Sequence, residues 1–520
     1  MKDQRKSSRP NLLFICCDDL NDAVARMGGH PQAQTPNIDR LMQRGLRFTN
    51  GQTNVPICGP SRASFLSGLG PWTSGYYGYN FGRDPWWNNP ELGKTRTFME
   101  SFSEAGYKVF GTGKIFHNGQ EKNEVWKDGH GHDVDWGPWS WDGQKEGSGW
   151  NACASHHSLP ADWNAELLFA RLGDLPDIPP NPETGAPGYK GWRHADNRPF
   201  HYRDENDRDL MHDEQNAQWA ADLLGRSMED PFCLCVGIGR PHSPLIAPDK
   251  YFDQFPLDSL ELAEVLPGDV EDCAEIIRQG HTCSGRWGFQ KYETIMEAGG
   301  EAMLRRWTQA YLACVAYADD CIGTVLNALE SGPHAENTLV VLVSDNGYHM
   351  GEKEWLFKNS CWEESTRIPF VCAGPGVAEG AECDQPVSLV DLFPTFVERF
   401  GLNPNPHQAL GGRPLDGTSL CQLLEDPQAE WSGPEVAVSV VGGDYPIDAG
   451  QPGDPANQHW SVRSKTHRYI LYSNGEEELY DHENDPMEWR NVAGESRYAA
   501  IKAYLRGQLE AQLASARAGS

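Results

Sequence analysis

Paired oxygen-bearing side chains follow two apolar segments of this sequence. Asp18 and Asp19 come directly after the apolar run 12–17, and Asp345 and Asn346 follow the run 338–343. Carboxylates gathered in one place repel each other unless a proton or a cation lies between them. Hard cations such as Ca²⁺ and Mg²⁺ prefer oxygen ligands. The two pairs therefore predict a divalent metal site, whereas a single Asp-Asp pair more often caps a helix or binds solvent.

One cysteine, Cys58, lies in a segment that could support nucleophilic chemistry. It is followed by Gly59-Pro60-Ser61-Arg62. Gly59 and Pro60 predict irregular structure at the cysteine, with Ser61 capping a helix that begins near Arg62. A thiol at a helix N-terminus beside an arginine is polarised towards the thiolate, which is the nucleophilic form. The alternative is a buried structural thiol.

Buried apolar segments alternate with helical patterns along most of the chain. The predicted strands are 12–17, 108–111, 232–238, 338–343 and 369–373, and the predicted helices are 37–45, 96–105, 214–227 and 302–329. This alternation predicts an α/β fold with a largely parallel sheet flanked by helices. Ligands of such sheets bind beyond the carboxyl ends of the strands, where the sequence has Asp18-Asp19, His242 and Asp345-Asn346.

The pattern changes after residue 430. Short antiparallel strands are predicted at 436–441, 460–463, 468–472 and 478–480, followed by a helix over 497–516. We therefore predict a catalytic α/β domain over residues 1–430 and a smaller C-terminal α+β subdomain over 431–520. Within the first, residues 119–205 show little periodicity, and a long irregular insertion of this kind is expected to shape a substrate pocket.

Composition excludes several classes of partner. The 520 residues include 44 Lys and Arg against 74 Asp and Glu, a formal net charge of −30. This charge argues against nucleic acid or an anionic membrane as the main partner. No run approaches the roughly 18 apolar residues of a membrane span. No apolar signal segment follows the N-terminus, so we expect a cytoplasmic protein, or a periplasmic or secreted one if a leader has been removed.

The segment from Cys58 to Arg62, with Ser67-Gly68, resembles the Cys-x-Pro-Ser-Arg signature of type I sulfatases of the alkaline phosphatase-like superfamily. Other matching segments follow in the family's order: 11–19, 35–39, Gly113-Lys114 with His117, 241–244, 344–347, 351–358, 479–481 and Asp485-Pro486. The segments 18–21, 113–117 and 239–242 are most similar to the iduronate-2-sulfatase branch. The resemblance implies a large mixed, mostly parallel sheet flanked by helices and a C-terminal subdomain with a short antiparallel sheet.

The resemblance also implies a modified nucleophile and a metal ion. A formylglycine-generating maturation enzyme would oxidise Cys58, and the hydrated aldehyde would attack sulfur and later expel sulfate. Ca²⁺, or alternatively Mg²⁺, would be held by Asp18, Asp19, modified Cys58, Asp345 and Asn346. Asn346 stands where iduronate-type relatives often have His, and its carbonyl oxygen suits a hard cation.

The same resemblance assigns roles to basic side chains. Arg62 would contact the formylglycine diol, and Lys114 and Lys358 would contact sulfate oxygens, where fixed positive charge lowers the barrier. His117 would orient the diol and take its proton, and His242 would act as general acid at the leaving oxygen. Three further residues near the metal loop, His349, Lys353 and Arg367, are equally compatible with contact to substrate and with a supporting or surface position.

Aromatic residues cluster after the signature helix: Tyr76, Tyr77, Tyr79, Phe81, Trp86, Trp87, Trp126, Trp136, Trp139, Trp141 and Trp150. They either stack on sugar rings or fix loops that lack secondary structure. Candidates for binding a sugar carboxylate or a second sulfate are Asn80, Arg83, His130, His132, Arg193 and His194.

The predicted function is hydrolysis of a sulfate ester on a sulfated saccharide with a uronate- or galactose-type unit. The alternatives are a phosphonate or phosphate monoester hydrolase of the same superfamily and a catalytically inactive carbohydrate-binding relative.

Overall fold

The computed structural model of the chain describes residues 9–78, 85–117, 120–143, 168–175, 177–180, 182–183, 185, 188–279, 287–443 and 451–518. Five residues named above as substrate-binding candidates lie outside the described residues: Tyr79, Asn80, Phe81, Arg83 and Trp150.

An eight-stranded sheet forms the centre of the molecule. Its strands are β1 (Asn11–Asp18), β2 (Leu46–Phe48), β3 (Lys108–Gly113), β4 (Gly129–His130), β5 (Phe232–Pro241), β6 (Thr338–Ser344), β7 (Phe370–Ala373) and β8 (Ala381–Cys383). Their spatial order is β8-β2-β7-β6-β1-β5-β3-β4. Only β7 of these strands runs antiparallel to its neighbours. The predicted mixed, mostly parallel sheet is therefore confirmed.

Helices cover both faces of the central sheet and also pack on other parts of the described chain. They are α1 (Pro36–Arg44), α2 (Cys58–Ser67), α3 (Pro71–Ser74), α4 (Phe98–Glu104), α5 (His212–Leu224), α6 (Asp249–Phe252), α7 (Glu275–Gln279), α8 (Trp287–Ser331), α9 (Glu363–Thr366), α10 (Leu392–Phe400), α11 (Cys421–Glu425) and α12 (Ala499–Ala518). Side chains of a strand alternate between faces. Leu13 and Ile15 of β1 accordingly pack with α1, α5 and α8, whereas Leu12 and Phe14 pack with α2, α4 and α10.

The longest helix, α8, includes the predicted helix 302–329 and begins earlier, with a break at Gly299 and Gly300. Residues Gly288–Ser331 are long and apolar enough to cross a membrane, contrary to the expectation from the sequence. However, 78% of the most apolar 18-residue window is buried inside the protein. A core helix that packs against a sheet has the same apolar composition, because it is covered on most of its surface.

The C-terminal part forms a four-stranded antiparallel sheet of β9 (Ala437–Val441), β10 (His459–Arg463), β11 (His467–Leu471) and β12 (Glu477–Asp481). One face, including Val440 and Val462, packs against α12. The other face, including Ile470, packs against Trp355 and Trp362. The predicted strands and final helix are thus present, and the boundary at residue 430 stays a prediction.

Short strands occur in the segment predicted to be irregular. Trp139–Ser140, Trp192–Arg193 and Pro199–Phe200 form a three-stranded sheet. Phe169–Arg171 pairs in parallel with Leu245–Ala247, directly after β5. Strands of two or three residues contain too few positions to show an alternating pattern, which is why the sequence did not reveal them.

A buried ionic cluster joins the C-terminal sheet to the rest of the molecule. The side chain of Arg468 on β11 is fully buried, and its Nε donates to Glu488 Oε1 at 2.6 Å. Its guanidinium also donates to Glu363 of α9. Arg463 donates to the same Glu363 carboxylate at 3.1 Å. Removing one member of such a cluster leaves an uncompensated charge in the interior.

Replacing Arg468 by Met should therefore destabilise the protein strongly. We expect the free energy of unfolding to fall by about 3–5 kcal/mol, because Glu363 and Glu488 lose a buried cation. The measurement is chemical denaturation of purified protein. Arg506→Met is the matched control, because the Arg506 side chain is 51% exposed and its ion pair with Glu510 lies at the surface. An equal loss of stability in the two variants would contradict this account.

Candidate active site

Polar residues from three neighbouring strands meet at the carboxyl edge of the central sheet. In the register of the sheet, Cys17 lies beside Ser344 of β6, and Asp18 lies beside Pro241 of β5. The chain therefore brings Asp19, His242 and Asp345 together, as the sequence predicts. Carboxylate oxygens of Asp18, Asp19 and Asp345 all lie within 4.8 Å of one another.

Helix α2 places Cys58 at this edge. The helix begins at Cys58 itself, so the predicted start near Arg62 is wrong. Pro60 fits because the first N–H groups of a helix have no intrahelical acceptor. Ser61 does not cap the helix: its hydroxyl donates to the Asp345 carbonyl at 2.6 Å. The Cys58 sulfur lies within 4.8 Å of ligand atoms of both Asp18 and His242.

Three buried cations face the three carboxylates. Arg62 Nε donates to Asp345 Oδ2 at 2.8 Å, Lys114 Nζ donates to Asp18 Oδ2, and Lys358 Nζ donates to Asp19 Oδ1. Lys358 Nζ also lies 2.7 Å from Cys58 Sγ. All three side chains are at most 7% exposed. The sequence-predicted basic residues are therefore gathered around Cys58 and the acids.

Three buried oxygens at the centre of this cluster lack a hydrogen-bond donor among the described residues. They are Asp18 Oδ1, Asp19 Oδ2 and Asn346 Oδ1. The Asn346 amide nitrogen donates to Asp19 Oδ1 at 2.8 Å, which leaves its carbonyl oxygen as the open ligand atom. Buried acceptors without a donor are costly. A hard divalent cation would satisfy all three at once, so the residues present fit the predicted metal.

Burial controls the ionisation of the acids and of Cys58. Burial raises the pKa of Asp345 to about 6, although Arg62 opposes this effect. Asp18 is also buried, but Lys114 and its other cationic neighbours hold the pKa of its carboxyl well below the usual range. Burial, with the charge of Asp18, raises the pKa of the Cys58 thiol to about 12. The expected thiolate is therefore wrong for the unmodified side chain, because desolvation outweighs the nearby lysines.

The two predicted catalytic histidines lie beside the carboxylates and lysines. His242 Nε2 is 3.9 Å from Asp19 Oδ2. Burial lowers the pKa of His242 to about 4, against the opposing charges of Asp18 and Asp19. Burial, with the positive charge of Lys114, holds the pKa of His117 well below its ordinary value. Burial therefore favours the neutral form of both imidazoles.

Three residues left open by the sequence make supporting contacts instead. Lys353 Nζ binds Asp269 Oδ1 at 2.7 Å in the interior. His349 Nε2 contacts Ser360 Oγ at 2.8 Å, and Arg367 pairs with Asp22 at 3.0 Å. These contacts fix the loops around the site and do not place the three side chains among the acids.

Most of the described aromatic residues are core residues rather than an open sugar platform. Tyr76, Tyr77, Trp86, Trp126, Trp136 and Trp139 are all buried. Two of the three histidines proposed to bind anions have acidic neighbours: His130 Nε2 lies 3.5 Å from Asp133, and His194 Nε2 lies 3.4 Å from Asp209. Sequence reasoning missed Thr53, whose hydroxyl donates to the Asp345 carbonyl at 2.8 Å and helps to fix the loop that follows β6.

The open oxygens predict a stabilising effect of calcium. Adding Ca²⁺ to the metal-free protein should raise the free energy of unfolding. The expected increase is about 2.7 kcal/mol when the Ca²⁺ concentration is 100 times the dissociation constant. Asp19→Asn should abolish most of this gain, because it removes a ligand charge. Differential scanning calorimetry is the measurement. Asp319→Asn is the control, since that buried carboxylate accepts the backbone N–H of Ile38 at 2.8 Å outside the site. Equal calcium-dependent gains in the two variants would refute the assignment.

Comparisons with known proteins agree with this geometry. The sulfatase family profile matches residues 10–402, and the profile of the N-sulphoglucosamine sulphohydrolase C-terminal region matches residues 351–515. A sulfatase of Formosa agariphila is 30% identical, over 96% of this chain and 87% of the relative. Human iduronate 2-sulfatase is 26% identical, over 94% and 92% of the two chains. Among solved structures, a phosphonate monoester hydrolase of Agrobacterium radiobacter superposes with a TM-score of 0.68 at 19% identity, over 98% and 96% of the chains.

The chain belongs to the sulfatase family and is a type I sulfatase with the alkaline phosphatase-like fold, a sulfuric ester hydrolase.

Proposed function

We propose that this sulfatase removes sulfate from a sulfated saccharide, using formylglycine at position 58 and a divalent cation. The preferred candidate for the cation is Ca²⁺. The observation that carries the proposal is the position of Cys58. Its sulfur lies at the start of a buried helix, 2.7 Å from Lys358 Nζ and within 4.8 Å of ligand atoms of Asp18 and His242. An oxygen nucleophile at this position would be surrounded by cations and would adjoin the open metal ligands.

The chemistry of sulfate release explains why Cys58 would be modified. Formylglycine, as its hydrate, supplies one hydroxyl oxygen to attack sulfur and a second whose deprotonation expels sulfate and restores the aldehyde. A plain thiol or hydroxyl has no second oxygen for that release. The high pKa of the buried Cys58 thiol also argues against direct attack by a thiolate.

The metal would be held by Asp18, Asp19, Asp345 and Asn346 together with the modified residue 58. Bound there, a divalent cation supplies Lewis acidity towards a sulfate oxygen and fixes the nucleophile. The three open oxygens of Asp18, Asp19 and Asn346 support this ligand set.

The remaining residues would bind the sulfate group and move protons. Lys114 and Lys358 would hold sulfate oxygens, because both ammonium groups already lie against the carboxylates at the site. Arg62 would hold the nucleophile through its position one turn after residue 58. His242 would protonate the leaving oxygen, and the negative charge of bound sulfate would favour its imidazolium form against the effect of burial. His117 would take the proton of the hydrate when sulfate leaves.

The saccharide assignment is supported by the names of relatives. Iduronate 2-sulfatase is named for a uronate unit, which agrees with the predicted uronate- or galactose-type substrate. In the described part of the chain, Arg193 pairs with Trp139 in the short sheet and is the candidate for a sugar carboxylate.

Loss of Cys58 should abolish catalysis. Cys58→Ala is expected to lower kcat/KM for an aryl sulfate by at least about 10⁴-fold, because covalent catalysis is removed. Mass spectrometry of the tryptic peptide containing position 58 should show the aldehyde in wild-type protein. Cys421→Ala, which changes a buried cysteine in α11, is the control and should retain activity. Full activity of Cys58→Ala would contradict the proposed nucleophile.

A phosphonate or phosphate monoester hydrolase is the second candidate, because a phosphonate monoester hydrolase shares the fold with a TM-score of 0.68. We expect kcat/KM for an aryl sulfate to exceed that for the matching aryl phosphonate and phosphate. The measurement compares the three esters of one phenol on the same formylglycine-containing preparation. A higher value for the phosphonate or phosphate would favour the second candidate. An inactive binding protein would hydrolyse none of the three.

A further inference from the structure

We infer that Trp136 is a positioning residue that holds the proton donor His242 in place beside the carboxylate of Asp18. The inference rests on the proposed function, because it assigns Trp136 to the same reaction. The sequence placed Trp136 among the aromatic residues that either stack on sugars or fix loops. The indole is only 8% exposed, so its ring is not an open platform for a sugar.

Trp136 contacts three groups of the site. Its Nε1 donates to Asp18 Oδ2 in a long hydrogen bond of 3.4 Å. Its ring stacks on the His242 imidazole, with centroids 5.1 Å apart and planes inclined by 27°. Lys114 Nζ lies 5.0 Å from the centroid of the same indole, a cation–π distance. Asp18 ends β1, Lys114 follows β3 and His242 follows β5. The Trp136 side chain therefore contacts residues at the carboxyl ends of three strands.

The stacking contact limits rotation of the imidazole, and the Ser243 carbonyl selects which edge of the ring faces the site. His242 Nδ1 faces the Ser243 carbonyl, and Nε2 faces Asp19 Oδ2 at 3.9 Å. Rotation of the ring about its bond to the chain would turn Nε2 away from the site. A flat indole against the imidazole face opposes that rotation, because the turned ring would clash with it. A small misplacement of a catalytic group can cost about 10²-fold in rate.

Trp136 is itself held firmly. The buried guanidinium of Arg240 donates to the Trp136 carbonyl. Asp213 of α5 accepts the backbone N–H groups of Gly239 at 2.7 Å and of Arg240 at 2.9 Å, which fixes the end of β5. On the other side, Asp135 Oδ1 accepts the Gly137 N–H at 2.8 Å. The indole is therefore fixed on an element that is tied to the same strand end as His242.

The test measures how the rate depends on the leaving group. Formylglycine-containing enzyme and its Trp136→Leu and Trp136→Phe variants are assayed with a series of aryl sulfates of graded phenol acidity and with an alkyl sulfate. Proton donation matters most for the poorest leaving group. We expect Trp136→Leu to lower kcat/KM for the alkyl sulfate by about 100-fold or more and for the most acidic phenol by less than about 10-fold. Trp136→Phe, which keeps a flat ring, should stay within about 10-fold of wild type throughout the series.

Two controls separate positioning from a general structural effect. Trp192→Leu removes a tryptophan of similar burial whose Nε1 donates to the Leu172 carbonyl at 2.8 Å, and it should leave the leaving-group dependence unchanged. In a His242→Ala background, Trp136→Leu should cause little additional loss. If Trp136→Leu does not fold, Trp136→Met, which is closer in volume, replaces it in the same series.

Each outcome decides one claim. Equal losses across all leaving groups, or a full additional loss in the His242→Ala background, would overturn the role of Trp136 and leave the proposed function intact. Wild-type enzyme that hydrolyses no sulfate ester would overturn the proposed function itself. A steeper dependence that appears in Trp136→Leu and is absent from Trp136→Phe supports the inference.

Discussion

The site depends on a balance of buried charge. Three carboxylates, of Asp18, Asp19 and Asp345, face the cations of Arg62, Lys114 and Lys358 at close range. Buried charges are tolerated only when they are paired and hydrogen-bonded. Because the chain's own charges nearly cancel there, a divalent cation would make the site net positive. That local charge can hold a sulfate ester although the whole chain carries a net charge of −30.

Parallel strands make this balance possible, because three of them end at one place. Close backbone packing sets the position of Lys114 at that edge. A Cβ on Gly237 of β5 would lie 2.2 Å from the Lys114 carbonyl carbon, so only glycine allows β3 and β5 to approach so closely. Gly113, with φ of 71°, then turns the chain so that Lys114 enters the site. Gly113 and Gly237 are therefore needed to place Lys114 beside the carboxylates.

The features predicted correctly from the sequence are those that depend on apolar periodicity and on the positions of strand ends. The buried strands and the meeting of Asp18, His242 and Asp345 follow from apolar runs and from the geometry of parallel sheets. The start of α2 could not be read, because Pro60 is compatible with both a loop and a first helical turn. The ionisation of Cys58 could not be read either, since it depends on burial and on Asp18, which is far away in the sequence. The contacts of Lys353 and Trp136 could not be predicted either, because their partners lie far away in the sequence.

Contacts of the C-terminal sheet show that the site extends beyond the central sheet. Lys358, which touches Cys58, lies three residues before Cys361. The Cys361 carbonyl accepts hydrogen bonds from Ser461 Oγ at 2.8 Å and from Arg468 Nη1 at 3.2 Å. Arg468 also binds Glu363, so the loop that carries Lys358 is held at its far end by β10 and β11. The antiparallel sheet therefore holds the loop that places the Lys358 ammonium group against Asp19 and Cys58.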